Sequence, residues 1–387
     1  MNGCFKINGI CKENAFNEVF YEMNRRLRQT DYFLTPNQGE YSYSGDEISS
    51  TPNQSHKMLC MMLPREMKVK ILNCPLPGHV RLQIQGLQAL RNQRNWEQYQ
   101  SIERWIDRQG FITQTLITQW LKEKLNSVYD ELRNAQGDPI LCCGVNRYVM
   151  SVGRTTQSVS MIAQLVSDDD LKIEIDMLPC FTFKYPNWPE TAKIDYADLF
   201  QSEEWFAVAQ KTFNRNYRNS DRFWQMVFPA QENEILFYHP NVFHIMRFVR
   251  QICFSYRMNF IRPYFINTVM LWEIFVHNEH FWNNKLGYLY MHVLRKMQER
   301  LRQRNIPFFW DPRQNLIASM PLNQIEEYIK TIDRVCNAIN DDFHRTPFVR
   351  ILFSLTNPFE EFRETRRYFF YDYRKKCFRV SYVYHSN

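Results

Sequence analysis

The run best suited to chemistry in this 387-residue sequence is Leu171-Lys172-Ile173-Glu174-Ile175-Asp176-Met177-Leu178-Pro179. Its residue types alternate. That predicts a strand with Leu171, Ile173, Ile175 and Met177 on one face and Lys172, Glu174 and Asp176 on the other. A carboxylate late on an exposed strand face, just before Leu-Pro, is a recurrent metal-ligand position in polymerase-type sites. Taken alone, such a residue is more simply a solvated acid on an edge strand. Asp168, Asp169 and Asp170, just upstream, read as a solvated hairpin loop.

The elements that must position this strand come from hydrophobic periodicity. Phe16, Val19, Phe20, Met23 and Leu27 recur at helical spacing, predicting a helix from about Glu13 to Gln29. A polar loop follows, from Thr35 to Ser55. Strands are predicted at His56–Pro64, Lys68–Asn73, His79–Ile84, Ser158–Ser167 and Leu171–Pro179, with a long amphipathic helix from Thr113 to Asn134. From about Glu203 the pattern becomes helical to near Asp342, with clear helices at Val242–Cys253, Tyr264–Phe275, Leu286–Leu301 and Leu322–Ile339. Strands followed by helices imply an α+β lobe and then a helical lobe. The expected boundaries are 1–202, 203–345 and a basic, aromatic tail at 346–387.

Composition narrows the class. Hydrophobic residues make up 44% of the chain, enough for a sizeable core, and the net charge is a modest +7. That charge permits a polyanionic partner without demanding one. The ten cysteines include no CxxC pair, so zinc-ribbon spacing is missing and no zinc is expected. Cys142-Cys143 is the only adjacent cysteine pair, and His277 and His280 read as surface histidines on a helix. With no signal-peptide pattern and no long apolar span, reduced, buried thiols in the cytoplasm or nucleus are expected, with no membrane association.

In order and spacing, several blocks resemble the family of cyclic GMP-AMP synthase and the Mab-21-like proteins. They are Trp205-Phe206-Ala207-Val208-Ala209, Trp224 to Leu236, Met246 to Arg250, Tyr264 to Glu273, Phe308-Phe309-Trp310 and Asn315-Leu316-Ile317. The most specific part sets Trp224, Phe228 and Glu232 at four-residue steps ahead of a helix carrying Tyr264 and Thr268. The resemblance implies a bilobal nucleotidyltransferase fold, with a twisted sheet lobe and a helical lobe. It also implies a Gly-Ser phosphate turn, two carboxylates two positions apart on a strand, and a third Asp on a neighbouring strand. Together these hold two divalent cations about 4 Å apart.

Carried over residue by residue, the third Asp matches Asp176, the phosphate turn matches Tyr41-Ser42, and the paired carboxylates fall on Gln54 and His56. Glutamine is neutral and histidine suits softer metals. The lysine expected after Glu232 is Asn233, and the lysine of the Ser-Tyr-x-x-Lys-Thr helix is Asn267; Ser42 and Tyr264 remain as nucleotide-contacting residues. Asp46 and Glu47 are alternative ligands if the alignment shifts. The expectation is therefore a catalytically degenerate protein, not an enzyme, acting by binding or regulation through a protein partner, with Asp176 as a residual metal ligand and no cofactor. The alternative is an active receptor, using Mg²⁺ or Mn²⁺, that makes cyclic dinucleotides on sensing double-stranded nucleic acid in innate immunity. Nucleic acid would meet Arg25, Arg26 and Arg28, with Arg295, Lys296, Arg300, Arg302 and Arg304 in the helical lobe.

Overall fold

The first amphipathic segment forms a helix because its apolar residues recur every three or four positions. In a computed structural model, Ala15, Phe16, Val19, Phe20, Met23 and Leu27 of this helix are all buried. The structure describes residues 6–7, 10–34, 54–61, 63, 67–94, 96–153, 159–168, 171–192, 203–209, 217, 219–342, 367–372 and 377–382. Tyr41, Ser42, Asp46 and Glu47 lie outside these residues, as does most of the expected polar loop.

A short pairing of β1 (Lys6–Ile7) with β2 (Ile10–Cys11) precedes α1 (Lys12–Thr30). Then come β3 (Gln54–Met61), β4 (Lys68–Asn73), β5 (His79–Gln85), α2 (Leu87–Arg91), α3 (Trp96–Tyr99) and α4 (Gln114–Glu131). They are followed by β6 (Ile140–Cys143), β7 (Asn146–Val152), β8 (Val159–Leu165), β9 (Lys172–Lys184), β10 (Glu204–Val208) and β11 (Phe223–Val227). Among the described residues, nine of these strands form one sheet in the order β4-β5-β11-β10-β9-β8-β7-β6, with β3 added on β9. Every pairing in it is antiparallel except β3 with β9.

The long strand β9 holds the sheet together. Residues 172–177 pair with β8, residues 180–184 with β10, and residues 174–181 with β3. Pro179 falls between the β8 and β10 pairings, where its missing N–H costs no ladder bond. Its carbonyl accepts from the Ala209 amide at 2.8 Å. The predicted strand ended at Pro179 because a proline usually marks a break; the strand instead runs through it.

Helix α1 is tied to the sheet through Glu18, whose carboxylate accepts from Asn146 Nδ2 at 2.9 Å and from the Tyr148 hydroxyl. Burial, reinforced by Glu18, pushes the Tyr148 phenol above its ordinary range. Asp31, at the end of α1, pairs with Lys124 of α4 at 2.9 Å and accepts from Ser101 at 2.7 Å. Aromatic rings fill the core beside these contacts, with Trp105 4.4 Å from Phe33 and 4.9 Å from Trp120.

Four strands of the nine-stranded sheet escaped the sequence pattern, as did the short β1 and β2. The β6–β7 hairpin turns on Gly144-Val145, and Gly144 takes φ 58°, as a two-residue hairpin turn requires. Strands β10 and β11 lie where only helix was expected. Their sequences are apolar nearly throughout, so no two-residue alternation marks them, and both are buried in the sheet. Asp168 is also buried rather than solvated, and its carbonyl accepts from the Leu171 amide at 3.1 Å.

The chain divides into two compact units, residues 1–189 with 204–227, and residues 190–203 with 228–387. The second contains α5 (Pro229–Tyr238), α6 (Pro240–Ser255), α7 (Pro263–Val276), α8 (Glu279–Trp282), α9 (Leu286–Arg302) and α10 (Leu322–Asp342). It ends in a hairpin of β12 (Arg367–Asp372) and β13 (Cys377–Tyr382). Helices α5, α6 and α7 each open on a proline, which has no amide proton to leave unsatisfied at a helix start. The unit's core includes Trp310 stacked on Phe228 at 4.2 Å and Trp282 stacked on His239 at 5.5 Å. Among the described residues, no helix is long and apolar enough to cross a membrane.

Burial lowers the His239 imidazole to about 4. A histidine held neutral in the fold but free to protonate when unfolded stabilises the protein above the unfolded value of about 6.5, and loses that contribution as pH falls from there toward 4. Urea titrations should therefore show the unfolding free energy dropping between pH 7 and pH 5, with about 2 kcal/mol of the fall from His239. The His239→Gln variant should show a flatter pH dependence. An unchanged slope would mean His239 does not titrate on unfolding.

Candidate active site on strand β9

The sequence pattern of β9 is realised in its packing. Leu171, Ile173, Ile175 and Met177 are fully buried, while Lys172 is exposed and Glu174 is half-buried. Asp176 departs from the expectation of an exposed acid, because only 5% of its surface is open. Pairing with β3 on one edge and β8 on the other encloses it. In the parallel ladder, Gln54 lies opposite Glu174 and His56 opposite Asp176. The inferred alignment thus brings the backbones of Gln54, His56 and Asp176 into one register.

Two neighbours of Asp176, Ser160 and Gly153, were not singled out from the sequence. Ser160 of β8 stands opposite Asp176, is fully buried, and donates its hydroxyl to Glu174 Oε1 at 2.7 Å. Gly153, just past β7, donates its amide to the Ser160 carbonyl at 2.8 Å. A Cβ on Gly153 would overlap the Ser160 hydroxyl and lie 2.5 Å from Ser160 Cβ and 3.2 Å from Glu174 Oε1. A glycine is needed there to let β7 close over the Ser160–Glu174 pair. The available signal was the acid two residues before Asp176: a two-residue step puts both carboxylates on one face of the strand.

The nucleotide-contacting positions inferred for the helical unit are engaged as well. Glu232, buried in α5, accepts from the Tyr264 hydroxyl at 2.8 Å and from Trp310 Nε1 at 3.0 Å. That fixes the Tyr264 ring, which remains partly exposed. Asn233 is exposed. Asn267 is 3% exposed, and its Oδ1 accepts from Arg250 Nη2 at 2.9 Å. A cation therefore does reach the position where the sequence comparison counted a lost lysine, supplied from α6. A lysine at 267 would set a second charge against Arg250 in a buried place.

The basic residues are partly neutralised. Arg25 and Arg26 both bond Glu22, at 2.6 and 2.9 Å. Arg302 meets Asp333 at 3.4 Å and Lys296 meets Glu299 at 3.0 Å.

His277 is not a surface histidine on a helix. It caps the end of α7 in extended backbone, and its imidazole comes within 3.3 Å of the buried Glu273 carboxylate; His280 alone of the two is exposed. Burial, together with the neighbouring His292, lowers the His277 imidazole below its ordinary value. Burial raises the Glu273 carboxyl, but the His292 hydrogen bond and the cations around it outweigh this and leave it lowered. Cys60, Cys74, Cys142, Cys143, Cys180, Cys253 and Cys336 are free thiols, of which Cys142 is exposed, Cys60 half-buried and the other five buried.

Residues 49–237 match the Mab-21 protein nucleotidyltransferase domain, and residues 240–334 match the Mab-21 protein HhH/H2TH-like domain. The chain is a member of the Mab-21 family. Its relatives include proteins named cyclic GMP-AMP synthase-like receptor. One from Aethina tumida is 22% identical over 321 residues, 82% of this chain and 78% of the relative. Another from Ctenocephalides felis is 20% identical over 370 residues, covering 91% and 84%. A third, from Drosophila eugracilis, is 21% identical over 320 residues, covering 82% of each.

These matches confirm the α+β nucleotidyltransferase fold. They overturn the expectation that the chain is not an enzyme, since the Mab-21 family match is to a nucleotidyltransferase domain and the relatives carry the name of a synthase. That expectation rests on the losses at Tyr41, Gln54, His56, Asn233 and Asn267, and does not count Glu174, which shares a strand face with Asp176, as a ligand.

The packing of Gly153 is directly testable. Gly153→Ala should destabilise the protein by about 1–3 kcal/mol through overpacking. Gly153→Ala in a Ser160→Gly background should recover part of this in chemical denaturation, because the clashing side chain is gone. Equal losses in both backgrounds would mean Gly153 does not close on Ser160.

Proposed function

We propose that the chain is a metal-dependent nucleotidyltransferase of the cyclic GMP-AMP synthase-like receptor type. It would work in the cytoplasm or nucleus and join nucleoside triphosphates into a cyclic dinucleotide when double-stranded nucleic acid engages it, as part of innate immunity. The supporting observation is the buried Asp176 on β9 with Glu174 two residues before it, inside the matched nucleotidyltransferase domain.

The donor set suits a hard cation. Asp176 and Glu174 offer carboxylate oxygens, the ligand type Mg²⁺ and Mn²⁺ require. Two carboxylates on one strand fit one such ion rather than two. The ion, when bound, would activate a ribose hydroxyl and offset triphosphate charge. The remaining work falls to the chain's own groups. Ser160 holds Glu174 by a hydrogen bond, so the acid keeps one orientation. Tyr264, its hydroxyl fixed by Glu232, presents a ring on which a base can stack. Arg250, positioned by Asn267, is a cation suited to phosphate. Nucleic acid would meet Arg28 and Arg25 of α1, with Glu22 moderating the charge there.

Purified protein incubated with labelled ATP and GTP, Mg²⁺ or Mn²⁺, and double-stranded RNA or DNA should yield a nuclease-resistant cyclic product. Asp176→Asn should lower the rate about 100-fold or more, since it removes one charged ligand outright. No product from the unmodified protein across these nucleotides, metals and nucleic acids would refute the proposal.

A further inference from the structure

We propose that Glu273, His277 and His292 bind a single zinc ion in the helical unit, apart from the acids of β9. The three residues offer one donor atom each, and these atoms all lie within 4.8 Å of one another. Glu273 Oε2 is the common centre, 2.7 Å from His292 Nε2 and 3.3 Å from His277 Nε2. A tetrahedral zinc with bonds of about 2.0–2.1 Å sets its donors roughly 3.3–3.5 Å apart. His277 already stands at that separation from Glu273, and His292 would move roughly 0.6 Å away from the carboxylate to admit the ion.

The sequence builds this cluster from two directions. Glu273 and His277 are four residues apart at the end of α7, one helical turn. His292 comes from α9. Phe281 stacks flat on His277, with centroids 3.8 Å apart and planes 13° from parallel, and meets His292 edge-on at 4.9 Å. The two rings are thereby held in place before any ion arrives. The Glu273 side chain is 5% exposed, while His292 and His277 are 19% and 26% exposed, which leaves a way in.

Ligand chemistry selects the metal. Two imidazoles and one carboxylate suit zinc, whereas Mg²⁺ and Ca²⁺ call for oxygen throughout. Three protein ligands leave a fourth position for water. Lys296, one turn beyond His292, is the nearby opposing charge, and Glu299 partly offsets it at 3.0 Å. A bound ion would clamp the end of α7 to α9. The cysteine count that argued against zinc does not bear on this site, which uses none.

Full-length protein, freed of any tag and stripped with chelator, should take up one zinc per chain by elemental analysis. Zinc should also raise its melting temperature, and Mg²⁺ should not. Co²⁺ in place of zinc should give the visible absorption of a four-coordinate site. His277→Ala and His292→Ala should each weaken zinc binding about 100-fold or more while keeping the far-ultraviolet circular dichroism of the parent. Cys142→Ser and His280→Ala should bind as the parent does. Failure of the parent to retain zinc after buffer exchange would overturn the site. So would full binding by the His277→Ala/His292→Ala double variant, or loss of binding in Cys142→Ser. Activity in nucleotidyl transfer is not read here, so failure of that function would leave this result standing.

Discussion

Strand β9 is the constraint on which the sheet unit depends. Its first half is paired to β8, its second half to β10, and its middle to β3, so three separate stretches of chain are registered by one strand. A one-residue slip would turn Ile173, Ile175 and Met177 out of the core and bury Lys172, Glu174 and Asp176 among apolar groups. The hydrophobic face therefore fixes where the acids stand. The same packing encloses Asp176 between neighbouring strands, where a carboxylate's charge has to be offset within the fold.

The helical unit is organised around a second buried acid. Glu232 gathers Tyr264 and Trp310, so α5, α7 and the segment after α9 meet on one carboxylate. A third, Glu273, gathers His277 and His292. In each case a buried charge is stabilised by hydrogen bonds from rings that packing already restrains. The chain thus places its polar chemistry on rigid elements.

Much of this was legible in the residues. The apolar period of α1 and the alternation of β9 appear in the structure with ends shifted by a few positions, and the Trp224–Phe228–Glu232 and Tyr264–Thr268 spacings led to the family. The pattern failed where burial removes it. Strands β10 and β11 are apolar on both faces and carry no alternation, and β9 runs through a proline that only its change of partner explains. Other features depend on contacts across the chain. Nothing in the local sequence links Gly153 to Ser160, Arg250 to Asn267, or His277 to His292, because each pair is joined only by folding. The expectation that the chain is not an enzyme fails for a related reason: matching positions one by one to a pattern leaves out Glu174, the acid two residues before Asp176.

The central claim is that the acids of β9 hold the reactive cation. Electron paramagnetic resonance of Mn²⁺ with a non-hydrolysable nucleoside triphosphate measures this most directly. The account predicts one bound Mn²⁺ per chain, lost in Asp176→Asn, weakened in Glu174→Gln, and retained in Gln54→Ala. Unchanged Mn²⁺ binding in Asp176→Asn would contradict it.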